Sequence, residues 1–351
     1  MQKQRDTNFA LQDHCHGKAR VRVLRVRRSS PQHTVQEYEV ATKLFSPAYS
    51  AVFTQANNTG LVATDTQKNT VYIVAKRSDA TTPEDFAIDM CKHLLEQYSM
   101  LTAVECDVKE TLWQRVYTQG GAHNHGFTKV SPEFATARVR LTRDAPQTPE
   151  VVSGVTGLTV LKTTQSGFTN YLHDQYTLLK DTEERCMATE VSAEWRYAPL
   201  RNKIDYAAVR RGVIDQLLLG YFGPPKSGVY SPSLQAAMAG ATTGSASAVS
   251  PHTKPWSTLP RKPSNSQHPV CDHARRCPQA HPNSSQATIY DVGCLVLKAV
   301  QDVASISIDT PNLHYLPFQN LSAFGEKFED DVFIPTSEPS GTIHCSVSRT
   351  S

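Results

Sequence analysis

The side chains able to do chemistry are densest in residues 158–186, LTVLKTTQSGFTNYLHDQYTLLKDTEERC. A short apolar run gives way there to a Thr/Ser/Gly loop bearing Phe168, and the segment closes on Arg185. A phenyl ring offers a face for stacking and a guanidinium offers parallel donors. Taken one at a time, however, Phe168 reads as a core ring and Arg185 as a solvated helix end. Elsewhere, Lys18 reads as an exposed strand-end lysine, Thr64-Asp65 as a helix cap and His314 as a hydrogen-bonded core residue. Local physics therefore leaves the site open. His123 and His125, at i and i+2, lack the further ligands of a closed zinc site. Cys271, His273, Cys277 and His281 match no common zinc spacing, so no metal is expected.

The elements that must position these groups follow from periodicity. ARVRVLRVR, residues 19–27, has a near period of two and predicts a strand. Residues 36–45 then complete an antiparallel hairpin. In 64–77 two signals conflict: Val71, Tyr72, Ile73 and Val74 favour a strand by propensity, whereas Thr64 or Asp65 could open a helix. Thr82-Pro83-Glu84-Asp85 carries a cap, proline at the first helical position and acids in the first turn. With Phe86, Met90, Leu94 and Tyr98 at steps of four, it predicts an amphipathic helix to about Tyr98. Strands are expected at 102–116, 135–142, 158–162 and 187–197, helices at 171–185, 204–219 and 289–300, and a final strand pair from 304. Asp144 to Glu150, proline-rich and polar, marks a boundary between 1–146 and 147–351. Strands interrupted by paired helices, twice over, predict two α+β domains of one architecture.

Composition narrows the class. The chain has 351 residues, with 36 Lys and Arg against 33 Asp and Glu, a net +3. Residues 236–286 hold five of those bases and one acid, so the remainder is close to neutral and offers no basic face for nucleic acid. No apolar run approaches the ~20 residues that span a bilayer. The cysteines are scattered, and reduced thiols are expected. Residues 236–286 also hold seven of the 21 prolines and few large apolar groups, which predicts a disordered surface insertion.

LTVLKTTQSGF followed by Tyr171, Tyr176, Leu179 and Arg185 resembles the signature of the urate oxidase (uricase) family. Gly17-Lys18 with Val21-Arg22-Val23, Val62-Ala-Thr-Asp-Thr-Gln-Lys, His123-Asn-His-Gly-Phe127, Tyr230-Ser-Pro-Ser-Leu-Gln235 and Pro311-Asn-Leu-His-Tyr315 resemble further family segments, in the right order. The resemblance implies two tandem T-fold (tunnelling-fold) domains, each an antiparallel sheet with helices on one face. It also implies a homotetramer with active sites between chains, and cofactor-free oxidation of urate by dioxygen and water. It favours helix for the Asp65 segment. Carried over residue by residue, it implies that Arg185, Gln235, Leu234 and Phe168 hold the purine edge and plane, while Asn312 holds dioxygen and then water. Backbone N–H groups of Thr64 and Asp65 from a neighbouring chain would meet the far edge. Lys18, Thr64 and His314 would form the proton relay, a lysine being usable as a base when burial or other cations lower its pKa from about 10.4.

Two features depart from the family pattern. Fifty-one residues separate Gln235 from Ala287-Thr-Ile-Tyr290, which usually follows it directly; deleting 236–286 restores the pattern, and Gln286, directly before Ala287, is a rival to Gln235. The chain closes on Ser348-Arg-Thr-Ser351, without the Ser-Lys-Leu-type address many uricases carry. Peroxisomal placement is the expectation from the family, with cytosol next.

Overall fold

The computed structural model describes residues 9–129, 131–164, 166–198, 203–223 and 284–350. The chain opens with an antiparallel hairpin, β1 (His16–Arg27) and β2 (Thr34–Phe45). A bulge interrupts β1 between Lys18 and Val21, where Arg20 takes φ 59°. Gly17, just before it, sits so close to β2 that a Cβ would lie 2.1 Å from the Thr42 carbonyl oxygen, so only glycine fits.

A short α1 (Ser50–Gln55) leads to α2 (Thr64–Arg77) and α3 (Pro83–Gln97). The strand propensity of 71–74 is overridden in α2. Gln67, Val71, Val74 and Ala75 fall on one helical stripe and are buried, while Tyr72 and Ile73 stay exposed. Burial of that stripe outweighs local preference. The helix is fixed to the sheet by polar bonds as well: Gln67 Oε1 accepts from Thr42 Oγ1 at 2.8 Å, and Gln67 Nε2 donates to the Val62 carbonyl at 3.2 Å. α3 forms as the sequence predicts, with Thr82 Oγ1 accepting from the Asp85 N–H at 3.2 Å and Phe86, Met90 and Leu94 fully buried.

The expected strand at 102–116 is two strands, β3 (Ala103–Thr111) and β4 (Gln114–Thr118), and β4 pairs with β5 (Gly121–Thr128). β6 (Phe134–Thr142) then pairs with β7 (Glu150–Lys162), which is much longer than its apolar run suggested, and β7 pairs with β8 (Met187–Tyr197). α4 (Tyr206–Phe222) and α5 (Ser285–Ala299) follow. The last strands are β9 (Val303–Asp309), β10 (Asn312–Pro317), β11 (Phe333–Thr336) and β12 (His344–Ser348).

Ten of these strands make one antiparallel sheet in the order β1-β2-β3-β6-β7-β8, where β8 forks to β9-β12 and to β10-β11. The element order strand-strand-helix-helix-strand-strand thus occurs twice, and β6 beside β7 joins the two runs. One sheet face is dry beneath the helices, with Val40, Val104, Val139, Val155, Val191 and Ile306 in a continuous core. The opposite face is charged, laced by pairs such as Lys43–Glu105 at 2.5 Å and Arg138–Asp107 at 2.7 Å. A buried network crosses the junction of the two runs. Arg210 of α4 reaches Glu84 of α3 at 3.2 Å and Glu110 of β3 at 3.5 Å, and Glu84 also accepts from Ser153 of β7 at 2.6 Å.

The predicted helix at 171–185 does not form. Phe168 and Thr182 instead exchange two backbone bonds, at 2.7 and 3.0 Å, which close the segment into an extended loop. Leu172, Tyr176 and Leu178 are 82–92% exposed, so these apolar groups find nothing to bury against among the described residues. The Asp174 carboxylate takes the Tyr176 N–H at 2.9 Å, a local turn that competes with helix. Among the described residues, no helix is long and apolar enough to cross a membrane.

Candidate active site

The site residues fall into two groups. The first sits on β1 and the start of α2. Lys18 is half-buried on β1, opposite Thr42, which is bonded to Gln67 one turn into α2. No side chain caps α2, whose N-cap is Ala63. Thr64 and Asp65 are therefore the first residues of the helix rather than its cap, and amide N–H groups of that turn are left without intrahelical acceptors. Such a turn favours negative charge. The Asp65 carboxylate bonds back to Lys68 at 2.6 Å and Asn69 at 2.9 Å. Its pKa is lowered by the Lys68 hydrogen bond first and by the charge of Lys18 among lesser causes, so Lys18 lies within electrostatic reach of the helix start.

The second group sits where β7, β8 and β10 meet. Gly167 beside the Phe168–Thr182 bridge is closely packed, since a Cβ there would approach the Thr182 and Glu183 carbonyl oxygens to 3.2 Å. The Phe168 ring stacks on Tyr171 with centroids 4.5 Å apart, and Tyr171 stacks on His173 at 4.4 Å. The Arg185 guanidinium carbon stands 5.4 Å from the Phe168 centroid. Arg185 Nε is buried with no hydrogen-bond partner, and no carboxylate pairs with Arg185 among the described residues. Burial lowers its pKa from the ordinary arginine value. A half-buried cation with an orphaned donor is suited to an anion supplied from outside. Asn312 opens β10 opposite Thr189 of β8, its N–H donating to the Gly341 carbonyl at 3.2 Å. His314 follows two residues on, paired with Thr336 of β11.

One chain does not bring the two groups together. Five strand steps separate β1 from β8, which at ~4.8 Å per step is about 24 Å along the sheet. His314 is accordingly remote from Lys18 within the chain. A concavity of about 350 Å³ on the charged face is lined by Arg20, Glu39, Asp107, Lys109, Arg138 and Glu194, and by none of the site residues. Leu234 and Gln235 lie outside the described residues, as do Cys271, His273, Cys277 and His281. Gln286 is exposed in the first turn of α5, which starts four residues earlier than the sequence suggested because Ser284 Oγ accepts from the Ala287 N–H at 3.2 Å. His123 and His125 sit on β5 with ring centroids 4.6 Å apart, and no metal-competent cluster of three or more His, Cys, Asp or Glu occurs among the described residues.

Sequence reasoning passed over Lys162, the last residue of β7, which is half-buried and paired across to Met187. Burial pushes its pKa down to about 8, with the charge of Glu184 opposing. A lysine closing a strand in a loop-rich motif carries no local sign of such burial.

An antiparallel sheet backed on one face by two helix pairs, with an orphaned guanidinium and a stacked ring at the fork of β8, defines an α+β protein of the T-fold class. The family model described as Uricase matches residues 14–140, 151–242 and 276–344. The chain belongs to the uricase family, the urate oxidases. It is 36% identical to Uricase-2 isozyme 2 of Glycine max over 348 residues, 95% of this chain and 94% of that one. It is likewise 36% identical to Uricase of Arabidopsis thaliana, over 96% and 95% of the two chains. The crystal structure of uricase from Arthrobacter globiformis superposes with a TM-score of 0.73 at 27% identity, covering 98% of this chain and 96% of that one. Of the two internal stretches left unmatched, 141–150 and 243–275, the second lies inside the expected insertion.

Proposed function

We propose that this chain catalyses urate + O2 + H2O → 5-hydroxyisourate + H2O2 at a composite site, built from the first group of one subunit and the second group of another. The observation that carries this reading is Arg185, a half-buried guanidinium without a carboxylate, its Nε unpartnered and its plane beside Phe168. Urate is flat and anionic with carbonyl and N–H groups on its rim. Arg185 grips the rim through parallel donors, the Phe168 ring lies against the plane, and Gln235, behind Leu234, supplies an amide that both donates and accepts. Open amides at Thr64 and Asp65 receive the opposite edge. Lys18, Thr64 and His314 take the proton that urate must lose before it can reduce dioxygen, and Asn312 holds dioxygen and then water through its amide.

The sheet order supports a site shared between chains, since the groups stand about five strands apart in one subunit. Exposed apolar groups flank both: Leu24, Phe53, Tyr72 and Ile73 near the first, Leu172, Tyr176 and Leu178 near the second. Such patches mark surfaces that another chain covers. The assembly we propose is a homotetramer of two tandem T-fold units per chain, 1–146 and 147–351, working without a cofactor. Peroxisomal placement, with its catalase, suits a peroxide-producing enzyme, and cytosol is the alternative.

Incubation of the purified protein with urate tests the reading, following loss of the urate ultraviolet absorption together with peroxide release. Neither signal, in the full chain or in one lacking residues 236–286, would overturn it. A second reading, a purine-binding oligomer without turnover, is favoured by the position of Gln235 far in sequence from the start of α5. Urate binding with no peroxide in the full chain, and peroxide restored by the deletion, would select it.

A further inference from the structure

The residues that hold Asn312 bear on the same chemistry as Asn312 itself. β10 is joined to β8 by two residue pairs, Asn312 with Thr189 and Leu313 with Ala188. Pro311, just before them, has no N–H to add to the ladder. Its carbonyl instead accepts two bonds from β8: Thr189 Oγ1 donates at 2.8 Å and the Glu190 N–H at 3.4 Å. From the other side, the Thr310 N–H donates to the Ile343 carbonyl at 2.9 Å and the Asn312 N–H to the Gly341 carbonyl at 3.2 Å. Asn312 Nδ2 lies 3.5 Å from where a Cβ on Gly341 would stand, so the side-chain amide rests beside that bare backbone.

The Pro311 carbonyl and the Asn312 N–H belong to one planar peptide unit. Bonds at both ends of that plane, to Thr189 on one side and Gly341 on the other, fix its tilt and with it the direction in which the Asn312 side chain leaves the backbone. Thr189 is 2% exposed, so water does not compete for its hydroxyl. We propose that Thr189 is a positioning residue for the oxygen step: its hydroxyl holds the 311–312 peptide and so aims the Asn312 amide at dioxygen and then at water. Valine has nearly the shape of threonine without the hydroxyl, and at this position it would leave the Pro311 carbonyl with the longer Glu190 bond alone. Phe168 and Arg185 lie on the β7–β8 connection, outside this set of bonds, so the grip on urate does not depend on it. The inference rests on the role given to Asn312 above.

The test measures two quantities, kcat/KM for dioxygen at saturating urate and the equilibrium affinity for urate without oxygen. The proteins are wild type, Thr189→Val, Thr189→Ser, Asn312→Ala, and the double variant Thr189→Val with Asn312→Ala. In Thr189→Val, kcat/KM for dioxygen falls about tenfold, the scale on which a misplaced group costs rate, while urate affinity is kept. Thr189→Ser retains the bond and the wild-type oxygen kinetics. The double variant is no slower than Asn312→Ala, because Thr189 acts through Asn312 and the two losses do not add. A merely structural threonine would instead lower urate affinity and oxygen kinetics together and would add to Asn312→Ala. Wild-type oxygen kinetics in Thr189→Val, urate affinity lost in step with them, a serine variant as slow as the valine one, or additive losses in the double variant each overturn this inference alone. A wild type that does not turn over urate, or an Asn312→Ala variant with unchanged oxygen kinetics, overturns the parent reading and this one with it.

Discussion

The two strand-strand-helix-helix-strand-strand runs share a topology and differ in what joins their strands. In the first run β1 and β2 are joined by a short turn, and β3 reaches β6 through a two-stranded hairpin off the main sheet. In the second, β7 and β8 are joined by the long loop that carries Phe168 and ends at Arg185, and β9 reaches β12 through the β10–β11 hairpin that carries Asn312 and His314. The first run offers chemistry only from its regular elements, a lysine at a bulge and the open first turn of a helix. The repeated frame thus supplies positioning, and the unequal connections make the halves offer different groups: Phe168, Arg185, Asn312 and His314 from the second, Lys18 and Thr64 from the first.

The roles proposed for Lys18 and Arg185 give separate kinetic signatures. Lys18→Met is predicted to lower kcat by two to four orders of magnitude with urate binding kept, the usual reach of a general base. Full turnover in that variant would remove the first run from the chemistry. Arg185→Ala is predicted to weaken urate binding by about a hundredfold, in line with loss of a charge-assisted bidentate contact, and a KM that does not move would remove the second run from substrate binding.

The seam between the runs makes a stability prediction. Arg210 of α4 holds Glu84, which is 0% exposed, and Glu110. Arg210→Ala leaves both carboxylates buried and unpaired, a loss of about 3–5 kcal/mol readable in denaturant unfolding. An unfolding midpoint that stays put would show that the runs are held together by their apolar core alone.

Glu110 gives the finest test of that seam. Burial, helped by Glu84 and opposed by Arg210, pushes its pKa up to about 7 from 4.5. A carboxyl whose folded pKa is raised binds its proton more tightly when folded. Its stabilising contribution is therefore full below the unfolded value near 4.5 and is lost as pH rises through about 7, amounting to about 3 kcal/mol in total. Glu110→Gln is predicted to flatten that part of the melting temperature against pH profile. An identical slope in the variant would place the titration elsewhere.

Much of the frame was legible in the sequence because strands and well-capped helices announce themselves locally. Thr82-Pro83 with acids behind it and the alternation in 187–197 need no tertiary information. The segment 64–77 did, since its β-branched and aromatic run is settled only by the sheet waiting beneath Val71 and Val74. The helix expected at 171–185 failed for the converse reason: Leu172, Tyr176 and Leu178 find no surface among the described residues to bury them. Resemblance placed Lys18, Arg185, Asn312 and His314 on the page, whereas their division into groups about five strands apart follows from β6 pairing with β7, which no local pattern encodes. Lys162 stayed hidden because the sequence places it at the end of a short strand, whereas it closes a long β7 paired to β8.

The central claim is that each catalytic centre draws its base from one chain and its guanidinium from another. Co-expression of Lys18→Met and Arg185→Ala chains, each inactive when made alone, measures this through urate turnover of the mixed oligomer. Activity well above the sum of the two separate preparations is predicted, because one pairing reunites an intact first run with an intact second run. A mixed oligomer no more active than its parents would contradict a site shared between subunits.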